Sequence, residues 1–223
     1  MSHETITLQA GSAPFRAAYF PSPEGPAAPG LVVVHEWWGL NDAFVAFASR
    51  FAAEGFTVLA PDLYDGRVAT DGAGAGALMQ AMKTERAMEI VAAASAELAK
   101  RTGRKVGVTG FCMGGALAFA AATSLDGIAC AVPFYGIPRA DYFDATKVRC
   151  PIQAHFAKED DWAQPDRARA FADAVTRHGG AMELHVYDAG HAFMREGDPS
   201  VYSAEQSAIA WSRSLAYLHA HLD

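Results

Sequence analysis

The sequence predicts an α/β fold, a mainly parallel central sheet with helices on both faces, and three observations carry that prediction. Short continuous apolar runs of strand length alternate with longer segments of helical period. At 105–115 one such run turns directly into an Ala-rich helical segment through Gly110-Phe111-Cys112-Met113-Gly114-Gly115. Two later strand-like runs end in polar, chemistry-bearing loops, at Glu159-Asp160-Asp161 and at Gly190-His191.

The elements follow in order. Residues 5–9 alternate apolar with polar and, with the extended run Phe15 to Phe20, predict an opening hairpin. Pro21 to Gly30 is rich in Pro, Gly and Ala and predicts a surface loop. Leu31 to His35 is apolar throughout, the pattern of a strand buried on both faces. Phe44, Phe47, Ala48 and Phe51 fall on one face of a helix predicted over Asn41 to Glu54 and stopped by Gly55. Thr57 to Ala60 is a short strand. The Gly- and Ala-rich stretch Asp65 to Gly76 predicts a loop near the site, with a helix after it from Leu78 to Lys100. Lys105 to Thr109, Ile128 to Pro133, Ile152 to Phe156 and Met182 to Tyr187 are further strands; Pro165 to His178 and Ala204 to His219 are helices, the first opening on a Pro.

Composition bounds the function. A chain of 223 residues with 51% hydrophobic content suits one globular domain, 1–223, with a sizeable core. The formal net charge of -7 gives no basic footprint for nucleic acid or an anionic membrane, so a small-molecule partner is expected. Met-Ser-His-Glu-Thr lacks the basic head and apolar run of a secretion signal, and no apolar run is long enough to span a bilayer. These features predict a cytoplasmic protein. Three cysteines without C-x-x-C spacing predict reduced thiols.

Gly110, Cys112 and Gly114 have the spacing of a nucleophile elbow, G-x-S-x-G, with sulfur in place of oxygen. Small flanking residues allow the tight bend, the helix that follows offers its positive end to a negatively charged sulfur, and the Met113 N–H is placed to help bind an oxyanion. Set against this, a free Cys is often only a small buried residue. His191, in the loop after a late strand, is where such a sheet presents a general base. An acid between them in sequence completes the order nucleophile, acid, His, and either Asp160 or Asp161 fits it. His35, His155 and His185 lie on strands and are expected to be packed and hydrogen-bonded.

Two motifs mislead. Gly72 to Ala77 matches a loose G-x-G-x-x-A, but no convincing strand precedes it. His35-Glu36-Trp37-Trp38-Gly39 starts like H-E-x-x-H and lacks the second His. Neither a metal nor a cofactor is expected.

With these residues on view, the chain resembles the dienelactone hydrolases, the carboxymethylenebutenolidases of the α/β-hydrolase fold. The matching motifs are His-Glu-Trp-Trp-Gly at 35–39, Pro-Asp-Leu-Tyr at 61–64, Gly-Phe-Cys-Met-Gly-Gly at 110–115, and Ala-Gly-His-Ala-Phe followed by Arg195. The resemblance implies a triad of Cys112, Asp160 and His191, oxyanion donors at Met113 and Trp37, and opening of dienelactone to maleylacetate through an acyl-enzyme. It also implies that Glu36 contacts the resting thiol until substrate shifts the contact and pairs Cys112 with His191. Substrates of the family carry a carboxylate, which Arg195 is expected to bind, with Arg86 a second candidate. Tyr64 and Tyr135 are placed at the site by the same motifs, and a monomer is implied. A broader carboxylesterase or thioesterase is the alternative on the same fold, and a non-catalytic thiol sensor the alternative from another class.

Overall fold

The computed structural model describes residues 3–223. Eight strands form one sheet: β1 (Glu4–Ala10), β2 (Ala13–Phe20), β3 (Gly30–Val34), β4 (Thr57–Pro61), β5 (Val106–Phe111), β6 (Ile128–Phe134), β7 (Ile152–Glu159) and β8 (Met182–Gly190). Their order across the sheet is β1-β2-β4-β3-β5-β6-β7-β8, with antiparallel pairing at β1/β2 and β2/β4 and parallel pairing elsewhere. The six helices are α1 (Asp42–Ala53), α2 (Gly72–Ala81), α3 (Thr84–Thr102), α4 (Met113–Ser124), α5 (Pro165–Arg177) and α6 (Ala204–Leu222).

The central strands β3, β4 and β5 bury every residue, as expected where helices cover both faces. On one face Leu98 of α3 approaches Gly30, and α3 in turn contacts α4. On the other, Leu218 and Leu222 of α6 cover Gly107, and Phe51 of α1 meets Trp211 of α6 with ring centroids 4.4 Å apart. Helix α4 buries ten of its twelve residues. It is apolar nearly all round because it lies wholly inside, between β5, β6 and α3.

One expectation is corrected. Asp65 to Gly76 is not loop throughout: Gly72 opens α2, and the predicted helix over Leu78 to Lys100 is divided at Met82 and Lys83. Three glycines argue against a helix on intrinsic preference, each costing about 1 kcal/mol relative to Ala. Tertiary context and a cap override them: the Asp71 carboxylate accepts the Gly74 N–H at 2.7 Å, and Ala75 is fully buried.

The registers set the level of the site. Val34 pairs with Gly110, Phe111 with Phe134, and Glu159 with Gly190. The residues that follow β3, β5, β6, β7 and β8 therefore emerge together along the carboxyl edge of the sheet, where parallel sheets open a crevice.

Candidate active site

Cys112 stands between β5 and α4 with φ 54 and ψ -114, a left-handed backbone that a side chain seldom adopts. Its N–H donates to Phe134 O at 3.0 Å, and its own carbonyl accepts the Ala116 N–H at 3.1 Å, so the sharp turn is gripped from both sides. A Cβ on Gly110 would collide with the Gly114 backbone, and one on Gly114 with the Val34 carbonyl. Both positions need Gly because the turn is wedged between strands. Met113 is the first residue of α4, where a backbone N–H has no acceptor within the helix.

His191 follows β8 directly, and its Nε2 lies 3.2 Å from Cys112 Sγ. Its Nδ1–H donates to Asp160 Oδ2 at 2.8 Å. Asp160, the first residue after β7, uses its other oxygen to accept the N–H groups of Trp162 at 2.9 Å and Ala163 at 2.8 Å. Asp161 is exposed. Burial works to raise the Asp160 carboxyl, but the hydrogen bond from His191 and the two N–H donors outweigh it and hold it lowered. Burial likewise works against a charged His191, yet its bonds to Asp160 and Cys112 raise it to about 10.

Glu36, two residues past β3, is buried, and both of its carboxylate oxygens are bonded to partners other than the thiol. Its Oε2 accepts Arg195 Nε–H at 2.8 Å and its Oε1 a long hydrogen bond from the Tyr135 hydroxyl at 3.4 Å. Arg195 also lies 3.7 Å from Asp198 and over the Trp38 ring. Burial opposes its charge, and Glu36 more than compensates, leaving the guanidinium raised. The expected contact of Glu36 with a resting thiol is thus replaced by an ion pair, with Cys112 already against His191. His35 positions this strand end: its Nδ1–H donates to Glu36 O at 2.6 Å and its Nε2 accepts Leu63 N–H at 3.2 Å, a neutral ring in keeping with the lowering that burial imposes. His155 is bonded to the Tyr187 hydroxyl, while His185 packs on His155 with no hydrogen-bond partner for its Nε2.

Two expected binding residues stand elsewhere. Arg86 is bound to the β1–β2 turn, where its guanidinium donates to Ala10 O, Ala13 O and Pro14 O, and pairs with Glu89. It emerges from the first turn of α3, which also contacts β1, and it lines neither of the clefts described below. Tyr64 is 1% exposed and its hydroxyl donates to Met113 Sδ at 3.1 Å, so it braces the elbow from behind. Trp37 does flank the site, its ring between Trp38 and Trp162 at 5.4 and 5.9 Å. Phe193 is core, packed on Tyr135 and Tyr187.

Two clefts meet at Tyr135. The first, about 560 Å³, contains Cys112 and His191 and is walled by α2, α4, residues 136–139, Tyr142 and Trp162. The second, about 530 Å³, contains Glu36, Arg195 and Asp198 over a floor of Phe44, Phe47 and Phe111. Sequence reasoning missed Trp162, whose signal was its place two residues after the triad-type acid, and Met79 and Met82 of the first cleft, which carried none. Among the described residues no cluster of metal-binding side chains occurs, and no helix is long and apolar enough to cross a membrane.

Comparison with known proteins identifies the fold and the family. A crystal structure of a putative dienelactone hydrolase from Klebsiella pneumoniae shares the fold, with a TM-score of 0.86 at 20% identity over 98% of each chain. Protein usf of Aquifex pyrophilus is 35% identical over 205 residues, 87% of this chain and 89% of that protein. A putative carboxymethylenebutenolidase of Aquifex aeolicus is 32% identical, over 88% of this chain and 90% of its own length. The model of the dienelactone hydrolase family matches residues 16–222, and the chain accordingly belongs to that family, as a hydrolase of esters or lactones on the α/β-hydrolase fold.

Proposed function

We propose that Cys112 is the nucleophile of a cysteine hydrolase that opens a lactone ring through an acyl-enzyme, with His191 and Asp160 as its partners. The observation that carries this reading is the continuous chain from Cys112 Sγ through His191 to the buried Asp160 carboxylate, at 3.2 and 2.8 Å. Cys112 gives its thiol proton to His191 Nε2, and the sulfur attacks the ring carbonyl while the Met113 and Trp37 N–H groups donate hydrogen bonds to the developing oxyanion. The tetrahedral intermediate collapses with cleavage of the ring C–O bond. The charged His191 supplies a proton to the departing oxygen, which stays attached to the acyl chain as an enol and tautomerises to the ketone. Neutral His191 then takes a proton from water, whose oxygen displaces the thiol from the thioester, and the acid is released. Asp160 holds the ring orientation and stabilises its charged form.

Dienelactone, giving maleylacetate, is the substrate that family membership favours. Arg195 is the cation for its carboxylate once the guanidinium is released from Glu36, and Glu36 is then free to act toward the sulfur. A broader esterase is a second reading, favoured by the apolar lining of the cleft in front of Cys112. The test is steady-state hydrolysis of cis- and trans-dienelactone beside an aryl ester, with mass spectrometry of the protein quenched during turnover. Wild type is expected to carry an acyl adduct on Cys112, and Cys112→Ala to lose both adduct and turnover, by a factor on the order of 10⁴ or more. Retained turnover in Cys112→Ala excludes the mechanism.

A further inference from the structure

The end of β3 carries a buried histidine to which the mechanism gives no part. A peptide N–H can only donate, so the Leu63 N–H at 3.2 Å makes His35 Nε2 the acceptor and leaves the ring proton on Nδ1, where it is given to Glu36 O at 2.6 Å. Leu63 is itself fixed, because the Asp62 carboxylate accepts the N–H groups of Tyr64, at 2.9 Å, and Gly66 and closes the turn around it. The Glu36 carbonyl and the Trp37 N–H belong to one planar trans peptide group, so they point in opposite directions and turn together. That carbonyl also accepts the Gly39 N–H at 3.3 Å, across a turn that Gly39 closes with φ 92. With the carbonyl gripped by His35 and Gly39, the Trp37 N–H faces away from the His35 ring, and among the described residues it has no main-chain acceptor.

The other oxyanion donor rests on the same support. A Cβ on Gly114 would lie 2.3 Å from Val34 O and 2.7 Å from His35 O, so the first turn of α4, with Met113 at its start, sits directly on the end of β3. The Tyr64 ring packs against the His35 ring with centroids 5.1 Å apart, and its hydroxyl reaches Met113 Sδ. Resting on the reading of Cys112 as nucleophile with Trp37 and Met113 as oxyanion donors, we infer that His35 is a positioning residue of the oxyanion site: through the Glu36 carbonyl, its Nδ1–H aims the Trp37 N–H at the oxygen that becomes negative during attack. His35 has no exposed surface and meets no substrate. Its effect falls on the steps that create an oxyanion and not on the sulfur itself.

The experiment sets two reactions of the same sulfur side by side in wild type, His35→Leu and His35→Asn. Acylation, by trans-dienelactone or p-nitrophenyl acetate and followed by rapid quench and mass spectrometry of the Cys112 adduct, passes through a tetrahedral oxyanion. Alkylation of Cys112 by iodoacetamide displaces iodide in one step and forms none. Leu and Asn are close in shape, and of the two only Asn offers an N–H near the place of Nδ1. Both vacate the Leu63 N–H, so both are expected to lower the urea midpoint. His35→Leu is expected to lose about 10² in acylation rate, the scale of one displaced oxyanion donor, and to keep alkylation within about threefold. His35→Asn is expected to return acylation to within about tenfold of wild type despite its lowered midpoint. Wild-type acylation in His35→Leu, a parallel fall of acylation and alkylation, or His35→Asn no faster than His35→Leu overturns this inference, and the acyl adduct on Cys112 leaves the nucleophile standing. If His35→Leu does not fold, His35→Asn carries the test alone, and a loss of about 10² in acylation with normal alkylation overturns the inference. Absence of an adduct on wild-type Cys112 with either substrate overturns both readings.

Discussion

The two clefts on either side of Tyr135 are nearly equal in size and opposite in character. In one, the Cys112 sulfur shares the lining with methionines and an indole; in the other, Glu36, Arg195, Asp198, Arg50 and Glu196 stand around three phenylalanines. Every ion of the second cleft is answered locally, Arg195 by Glu36 and Asp198, and Arg50 by Glu196 at 2.5 Å. Tyr135 divides them with φ 33, its ring edge on His191 and its hydroxyl on Glu36. Burial, reinforced by Glu36, raises that hydroxyl well above its ordinary range, so it remains a donor. The difference teaches that proximity in sequence motifs does not make one binding site. The Cys112–His191–Asp160 group, to which we assign the chemistry, and the ion pairs around Glu36 and Arg195 lie on neighbouring strand ends, yet they open in different clefts.

The largest test of that division is on the catalytic side. Asp160→Asn is expected to lower kcat by about 10³ to 10⁴, as loss of the orienting carboxylate does in related triads. It also removes the main support of the His191 charge. The alkaline limb of kcat/KM, expected near pH 10 in wild type, should therefore move to lower pH. The same shift acts on stability. Because His191 is raised from 6.5 to about 10 on folding, its stabilisation is complete below pH 6.5 and disappears as pH rises toward 10. Urea titrations across that range are expected to show the decline in wild type and a flatter profile in Asp160→Asn.

On the charged side the expected effect is smaller. Arg195→Met leaves the Glu36 carboxylate buried with only Tyr135, and is expected to cost about 1–3 kcal/mol, below the range for fully buried pairs because the Arg195 side chain is 22% exposed. The double variant Glu36→Gln/Arg195→Met should recover most of that loss in the same urea assay; strict additivity would show that the pair is not coupled. The smallest effect belongs to Arg86, which lies in neither cleft. Arg86→Ala is expected to reduce stability by about 1 kcal/mol, through three lost carbonyl contacts, with kcat/KM unchanged.

Much of this arrangement was legible in the sequence, for physical reasons that differ by residue. The elbow was readable because a strand that turns at once into a helix admits only small residues around its tip, and Gly110 and Gly114 sit there. Parallel strands read well because they are buried on both faces. Helix α2 was not readable: its glycines speak against it, and what holds it is the Asp71 cap and the buried Ala75. Residue order alone left Asp160 and Asp161 open and the family resemblance favoured Asp160; the end of β7 supplies the physical reason, since of the two it is Asp160 that is buried and bonded to His191. The partner of Glu36 was not legible either, because Arg195 is distant in sequence and reaches it only through the loop after β8.

Asp160 divides its two oxygens between unlike duties, one holding the histidine ring and the other the peptide N–H groups of Trp162 and Ala163. Since the second grip is on main chain, it is indifferent to which side chain stands at 162. A lineage of this family can exchange that residue while Asp160 keeps its hold on His191. On the mechanism proposed above, the wall of the Cys112 cleft at 162 and the orientation of His191 are thereby separable under mutation.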